Sequence, residues 1–121
     1  MKKERILVIG ASENTERYSN KAIKSLLRHN HLVAALGLRK GQVEGVPIDV
    51  DQPDYSDIDT VTMYLSVHNQ AALYHYILSL KPRRIIYNPG AENRELEVLA
   101  EKAGIENVEA CTLVLLSTGQ F

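Results

Sequence analysis

The chain carries a single cysteine, Cys111, so no internal disulfide can staple it. Its 121 residues must instead bury a hydrophobic core, and that length suits one domain. No apolar stretch approaches the ~18 residues that a membrane-spanning helix needs. The opening Met-Lys-Lys-Glu-Arg runs straight into a short β-type segment, with no long apolar region and no small-residue cleavage site. The expectation is a protein of the reducing cytoplasm. Charge of one sign is also missing: 14 basic residues face 15 acidic ones, for a formal net charge of −1. That balance excludes a bulk electrostatic partner such as duplex DNA or an anionic membrane, while leaving room for a local phosphate site. Repeats, linkers and low-complexity segments are absent. His29, His31, His68 and His75 lack the pairing of a metal site, because His68 and His75 share a helical face without a third ligand. Cys111 has no CxxC partner and sits in an apolar context that suits a buried structural thiol. The acids between Asp49 and Asp59 fall in a turn-rich segment, where solvation or capping explains them better than acid–base chemistry.

What the sequence does contain is alternation. Ile6–Ile9 is a continuous branched-aliphatic run, the signature of a strand buried on both faces. Residues 18–29 predict a helix with Ala22, Ile23, Leu26 and Leu27 on one face, ended at Asn30, which tolerates a left-handed conformation. Leu32–Leu36 predicts a second strand. Residues 39–47, with Gly41, Gly45 and Pro47, predict a loop, and Val46–Val50 a short strand. Thr60–Leu65 is β-branched and aromatic, as in strands. A helix is expected from His68 or Asn69 to about Leu80, closed by Lys81-Pro82. Arg84–Tyr87 predicts a strand, residues 92–103 a helix, Val108–Ala110 a last strand, and residues 112–117 a short terminal helix. This order predicts an α/β fold: a three-layer, doubly wound, mainly parallel sheet of about five strands.

Ligands of such sheets bind beyond the carboxyl ends of the strands. Here those ends are Gly10-Ala11-Ser12, Gly37-Leu38-Arg39-Lys40, Ser66-Val67-His68 and Asn88-Pro89-Gly90. Turns need glycine for their own geometry, yet four such ends fall on one edge. Gly10 allows close backbone approach to a phosphate, and Ala11 and Ser12 offer N–H groups and a hydroxyl. Arg17 lies in the loop that follows. Ser19 or Asn20 lies near the start of the next helix, where free N–H groups favour an anion, although a plain N-cap role would also explain Ser19. The segment lacks the second glycine of G-x-G-x-x-G. The position of the usual ribose-binding acid carries Arg39 and Lys40, which argues against plain NAD and suits a further phosphate. A solvated basic loop is the simpler alternative. His68, at the same edge, could donate to a phosphate or cap a helix.

The run Ile-Gly-Ala-Ser-Glu-Asn-Thr-Glu-Arg-Tyr-Ser at 9–19 combines G-A-S with a serine seven positions beyond Ser12. Together with Asn88-Pro89-Gly90-Ala91-Glu92-Asn93, Leu99-Ala100-Glu101-Lys102-Ala103-Gly104-Ile105 and Cys111, it resembles the small stand-alone CoA-binding proteins. Their Rossmann-like domain is shared with the succinyl-CoA synthetase α subunit. The resemblance implies that Gly10, Ala11, Ser12 and Ser19 contact CoA phosphates. It implies that Arg39 lies near the adenosine ribose phosphate, with Ser66, His68, Asn88, Pro89 and Gly90 on the rim. The family often has proline at Tyr18, an asparagine- or serine-proline pair at Gly37-Leu38 and arginine at Ser66.

Two functions of different class follow as expectations. The first is a non-catalytic protein binding a small-molecule nucleotide, CoA or an acyl-CoA, without a nucleic-acid or membrane partner. The synthetase reaction needs a phosphohistidine on a further domain, which the resemblance does not extend to. The second is an NADP-type oxidoreductase domain. A degenerate fold kept for protein contact is a third, and Leu113–Leu116 could then serve a homo-oligomer interface, although core packing explains it equally well.

Overall fold

The computed structural model describes residues 4–121. A seven-stranded sheet has the order β3-β4-β2-β1-β5-β6-β7. Its strands are β1 (Arg5–Ala11), β2 (Leu32–Gly37), β3 (Gly41–Val43), β4 (Val46–Asp49), β5 (Thr60–Met63), β6 (Arg84–Tyr87) and β7 (Glu106–Glu109). All neighbouring pairs are parallel except β3–β4. The helices are α1 (Tyr18–Arg28), α2 (Tyr74–Ser79), α3 (Arg94–Lys102) and α4 (Thr112–Ser117). The α/β, mostly parallel, doubly wound architecture is thus as expected.

The period-2 alternation of β1 divides the core. Leu7 and Ile9 face a cluster with Ala34, Leu36, Val61, Met63, Ile85 and Tyr87, covered by Ile77 of α2 and Leu96 and Ala100 of α3. Ile6 and Val8 face the other cluster, with Ala35, Val43 and Ile48, covered by Ile23 and Leu26 of α1 and Leu116 of α4. Burying both faces explains why the β1 run is continuously apolar.

The expected short strand at Val46–Val50 is β4, and β3 is an added strand from the segment predicted as a loop, giving seven strands where about five were expected. Residues 39–47 contain a hairpin in which Val43 pairs with Val46 across Glu44-Gly45. Both turn residues have positive φ, 46° and 84°, the geometry of a type I′ turn. Glutamate is not a residue that signals this turn, so the glycines there read as a loop. Pro47 lies opposite Gln42, ahead of Ile48 and Asp49, which make the pairing to β2.

The helix expected from 68 or 69 to 80 is α-helical only over Tyr74–Ser79, after two 3₁₀ turns at Val67–Asn69 and Ala71–Leu73. Gln70 supplies the reason. It is fully buried, and its Nε2 donates to the carbonyls of Leu65 at 2.9 Å and Ala91 at 2.8 Å. Drawing that side chain inward displaces the first turn from regular helix geometry. The other helix ends match local chemistry. Asn30 adopts φ 66° after α1. Asn93 caps α3, its Oδ1 accepting from the N–H of Leu96 at 3.1 Å.

At the amino edge of the sheet a polar cluster gathers at the starts of β5 and β6. Arg83 pairs with Glu4 at 3.5 Å and with Asp59 at 3.2 Å, and buried Arg84 pairs with Glu4 at 3.5 Å. The Phe121 ring covers the Arg84 guanidinium at 4.5 Å and contacts His31 at 5.1 Å. Burial pushes the Asp59 carboxyl up, but hydrogen bonds with Glu4, Thr60 and Arg83 outweigh it and hold the group at about 2.

Candidate functional site

β1 delivers its last residues to the opposite edge and ends in a turn that only a small residue permits. Gly10 has φ +95°, and a Cβ there would lie 3.0 Å from the Leu65 nitrogen and 3.1 Å from the Tyr64 carbonyl carbon. Close approach of the β1 end to the β5 end sets the floor of the site. The loop then folds on itself: Ser12 Oγ accepts from the N–H of Asn14 at 3.1 Å, and Asn14 Oδ1 accepts from the N–H of Glu16 at 3.0 Å. These turns bring Arg17 to the start of α1, which begins without a capping side chain. No side chain caps its first-turn N–H groups, although that of Asn20 donates to the Arg17 carbonyl at 3.1 Å, and such a helix start favours an anion.

The result is a cleft of about 850 Å³ outside the carboxyl ends of the strands. Gly10, Ala11 and Ser12 form one wall with Glu13, Asn14 and Arg17; Leu38, Arg39 and Lys40 form another. Tyr64, Leu65, Ser66 and Asn69 follow β5, and Pro89 and Gly90 close the far side. Among the described residues three cationic side chains and one carboxylate line it, so the cleft carries a positive bias in a chain whose overall charge is −1. A smaller, more apolar recess of about 170 Å³ opens beside it, with Ile9, Leu36, Val50 and Leu73 among its walls.

Nine of the residues singled out in the sequence line this cleft: Gly10, Ala11, Ser12, Arg17, Arg39, Lys40, Ser66, Pro89 and Gly90. Four others do not. Ser19 and Asn20 are buried inside the first turn of α1, at 3% and 2% exposure, and the N-cap of the helix is Arg17 and not Ser19. Asn20 acts from behind, its Nδ2 donating to the Ser12 carbonyl at 2.9 Å. His68 is exposed in the first 3₁₀ turn and is not among the cleft residues. Asn88 is 1% exposed and turned into the protein: Nδ2 donates to Thr62 Oγ1 at 2.7 Å and to the Met63 carbonyl at 2.9 Å. Asn88 shapes the turn that presents Pro89 and Gly90.

Sequence reasoning passed over Glu13, Asn14, Tyr64, Leu65 and Asn69, and placed Leu38 at the ligand edge without giving it a role. Leu38 is 79% exposed, an apolar residue beside two cations. Tyr64 lines the cleft, but its phenol is buried toward Thr62 and Thr112, and that burial raises it well above its ordinary value. Cys111 is half-buried ahead of α4. Among the described residues no group of three or more His, Cys, Asp or Glu is arranged to hold a metal ion, and no helix is long and apolar enough to cross a membrane.

An open, mostly parallel sheet covered on both faces, with its cleft outside the carboxyl ends of the central strands, defines a Rossmann-like α/β protein. Within that class the particular family is shown by the sequence: the profile of the CoA binding domain matches residues 4–117, and the chain belongs to that family. A crystal structure of an uncharacterized protein is 45% identical, covers 100% of both chains and superposes with a TM-score of 0.98. A hypothetical protein from Pyrococcus horikoshii OT3 is 22% identical, with a TM-score of 0.87 over 96% of this chain and 83% of its own. A Thermus thermophilus protein is 18% identical, with a TM-score of 0.83 over 98% of this chain and 91% of its own. The last two likenesses concern the fold. A search of curated proteins gave no match.

Proposed function

We propose that the cleft binds CoA or an acyl-CoA, and that the protein acts as a non-catalytic binding protein of the reducing cytoplasm. The observation that carries this reading is the joining, in one cleft, of the Gly10–Ser12 turn, the uncapped start of α1 and the cations Arg17, Arg39 and Lys40. CoA bears a pyrophosphate and a separate ribose phosphate. The turn and the helix start suit the first, since N–H groups and the helix dipole both favour an anion. Arg39 and Lys40, on a separate loop, suit the second. The family membership supports the same ligand class.

Thermal denaturation in the presence of CoA, acetyl-CoA, NADP and NAD tests it. A ligand present at a hundredfold its dissociation constant stabilises the fold by about 2.7 kcal/mol, which is readily measured. The expected result is a rise in Tm with CoA or acetyl-CoA, lost in Arg39→Glu/Lys40→Glu, whose positions are exposed and leave the fold intact. A rise with NADP alone would replace this reading by an oxidoreductase domain. No rise with any of the four would point to a protein-contact module.

A further inference from the structure

Among the described residues Glu13 is the only carboxylate lining the cleft, on the β1-loop wall that also carries Arg17. Its Oε2 accepts from the backbone N–H of Gln42 at 2.9 Å, across 29 residues of sequence. Gln42 stands opposite Pro47 in the hairpin, so this N–H turns toward Glu13 and not into the sheet. The carboxylate also lies hard against Gly41, where an added Cβ would come within 2.6 Å of Oε2. Gly37 makes a second close approach to the same wall, since a Cβ there would sit 2.5 Å from the Ala11 carbonyl oxygen. The two glycines bracket Leu38, Arg39 and Lys40. The segment that carries both cations is therefore pinned to the β1 loop at each end, and Glu13 makes the pin at the outer end.

We propose that Glu13 is a positioning residue that latches the Leu38–Lys40 loop over the cleft and thereby sets preference for a ligand carrying a phosphomonoester besides its pyrophosphate. The proposal deepens the CoA reading and rests on it. A carboxylate so close to a phosphate site opposes anion binding directly, by like charge. Its placement is explained by what it holds. An exposed loop with two adjacent cations samples many positions, and fixing it lowers the ordering cost of each ionic contact with the ligand.

Comparison of Glu13→Gln with Glu13→Ala separates the latch from the charge, because both remove the charge and only the glutamine keeps an acceptor for the Gln42 N–H. The reading is the affinity ratio of CoA to 3′-dephospho-CoA by titration calorimetry. Glu13→Gln should keep or raise the parent ratio. Glu13→Ala should lower it roughly tenfold, the scale of one hydrogen bond to a charged group. Gly41→Ala should lower it similarly by displacing the Glu13 carboxylate, with no further loss in the Glu13→Ala background. Equal ratios for the glutamine and alanine variants would overturn the proposal. Amide exchange at Gln42 in the free protein reports the latch without any ligand: protection should fall in Glu13→Ala and Gly41→Ala and persist in Glu13→Gln. Unchanged Gln42 exchange in Glu13→Ala overturns the latch itself. A parent protein that binds no CoA overturns the cofactor reading and the selectivity role together, and the exchange data then decide the latch alone.

Discussion

The side-chain carbonyl of Asn88 accepts a hydrogen bond from the backbone N–H of Thr112 at 2.8 Å, tying the turn after β6 to the start of α4. The same amide donates to Thr62 and to the Met63 carbonyl, and Thr62 bonds Thr112 at 2.8 Å. Three chain segments thus meet at one buried amide beneath the floor of the cleft. Asn88→Ala leaves the Thr112 N–H and the Met63 carbonyl without this partner. It should destabilise the fold by about 2–4 kcal/mol in urea denaturation and expose the α4 segment to proteolysis. A loss under half a kcal/mol would show that the network is not coupled.

Gly10 joins fold and site at one residue. Its φ of +95° and the 3.0 Å spacing to the Leu65 nitrogen leave no place for a side chain. Gly10→Ala should cost about 1–3 kcal/mol, read as a lower urea midpoint with an unchanged slope. The strained backbone would also shift the cleft floor, so ligand-induced stabilisation should shrink in the same variant.

The hairpin turn offers a gain. Glu44 holds φ +46°, which asparagine adopts at lower cost than glutamate. Glu44→Asn should raise stability by about 0.5–1 kcal/mol, measured by chemical denaturation. The residue is exposed and outside the cleft, so ligand affinity should not move.

Acid should unfold the protein in two stages. Burial holds His31 below its ordinary 6.5, helped by the charges of His29 and Arg84, and the N–H of Glu4 donates to Nδ1 at 3.0 Å. The folded pKa is the lower one, so the unfolded chain binds more protons as pH falls, and stability present above 6.5 is lost below it. Asp59, at about 2 against an ordinary 3.8, behaves likewise: its contribution is present above 3.8 and disappears as pH falls toward 2. His31→Gln should flatten the dependence of stability between pH 7 and 5 while leaving the loss at lower pH. An unchanged slope in that variant would assign the first stage to other groups.

Local chemistry dictated most of the architecture. The unbroken Ile6–Ile9 run, the α1 face of Ala22, Ile23 and Leu26, Asn30 after it and the Lys81-Pro82 stop are short-range features, and each states its own conformation. The alternation of such segments was enough for a doubly wound sheet, and the rule that sites lie at the carboxyl edge led to Gly10–Ser12, Arg17, Arg39 and Lys40 before any contact was known. Long-range packing decided the rest. Glu44 in a left-handed turn, Gln70 bent inward to two distant carbonyls, and Asn88 turned from the rim into the core have no local signature, because their partners lie elsewhere in the chain. Ser19 likewise reads as a cap by residue type and is buried because α1 starts earlier, at Tyr18. Residue type and periodicity therefore determined the elements and the edge that carries the cleft. Which side chains face that cleft, and which carboxylate pins its cationic loop, depended on hydrogen bonds between residues such as Glu13 and Gln42 that only the folded chain brings together.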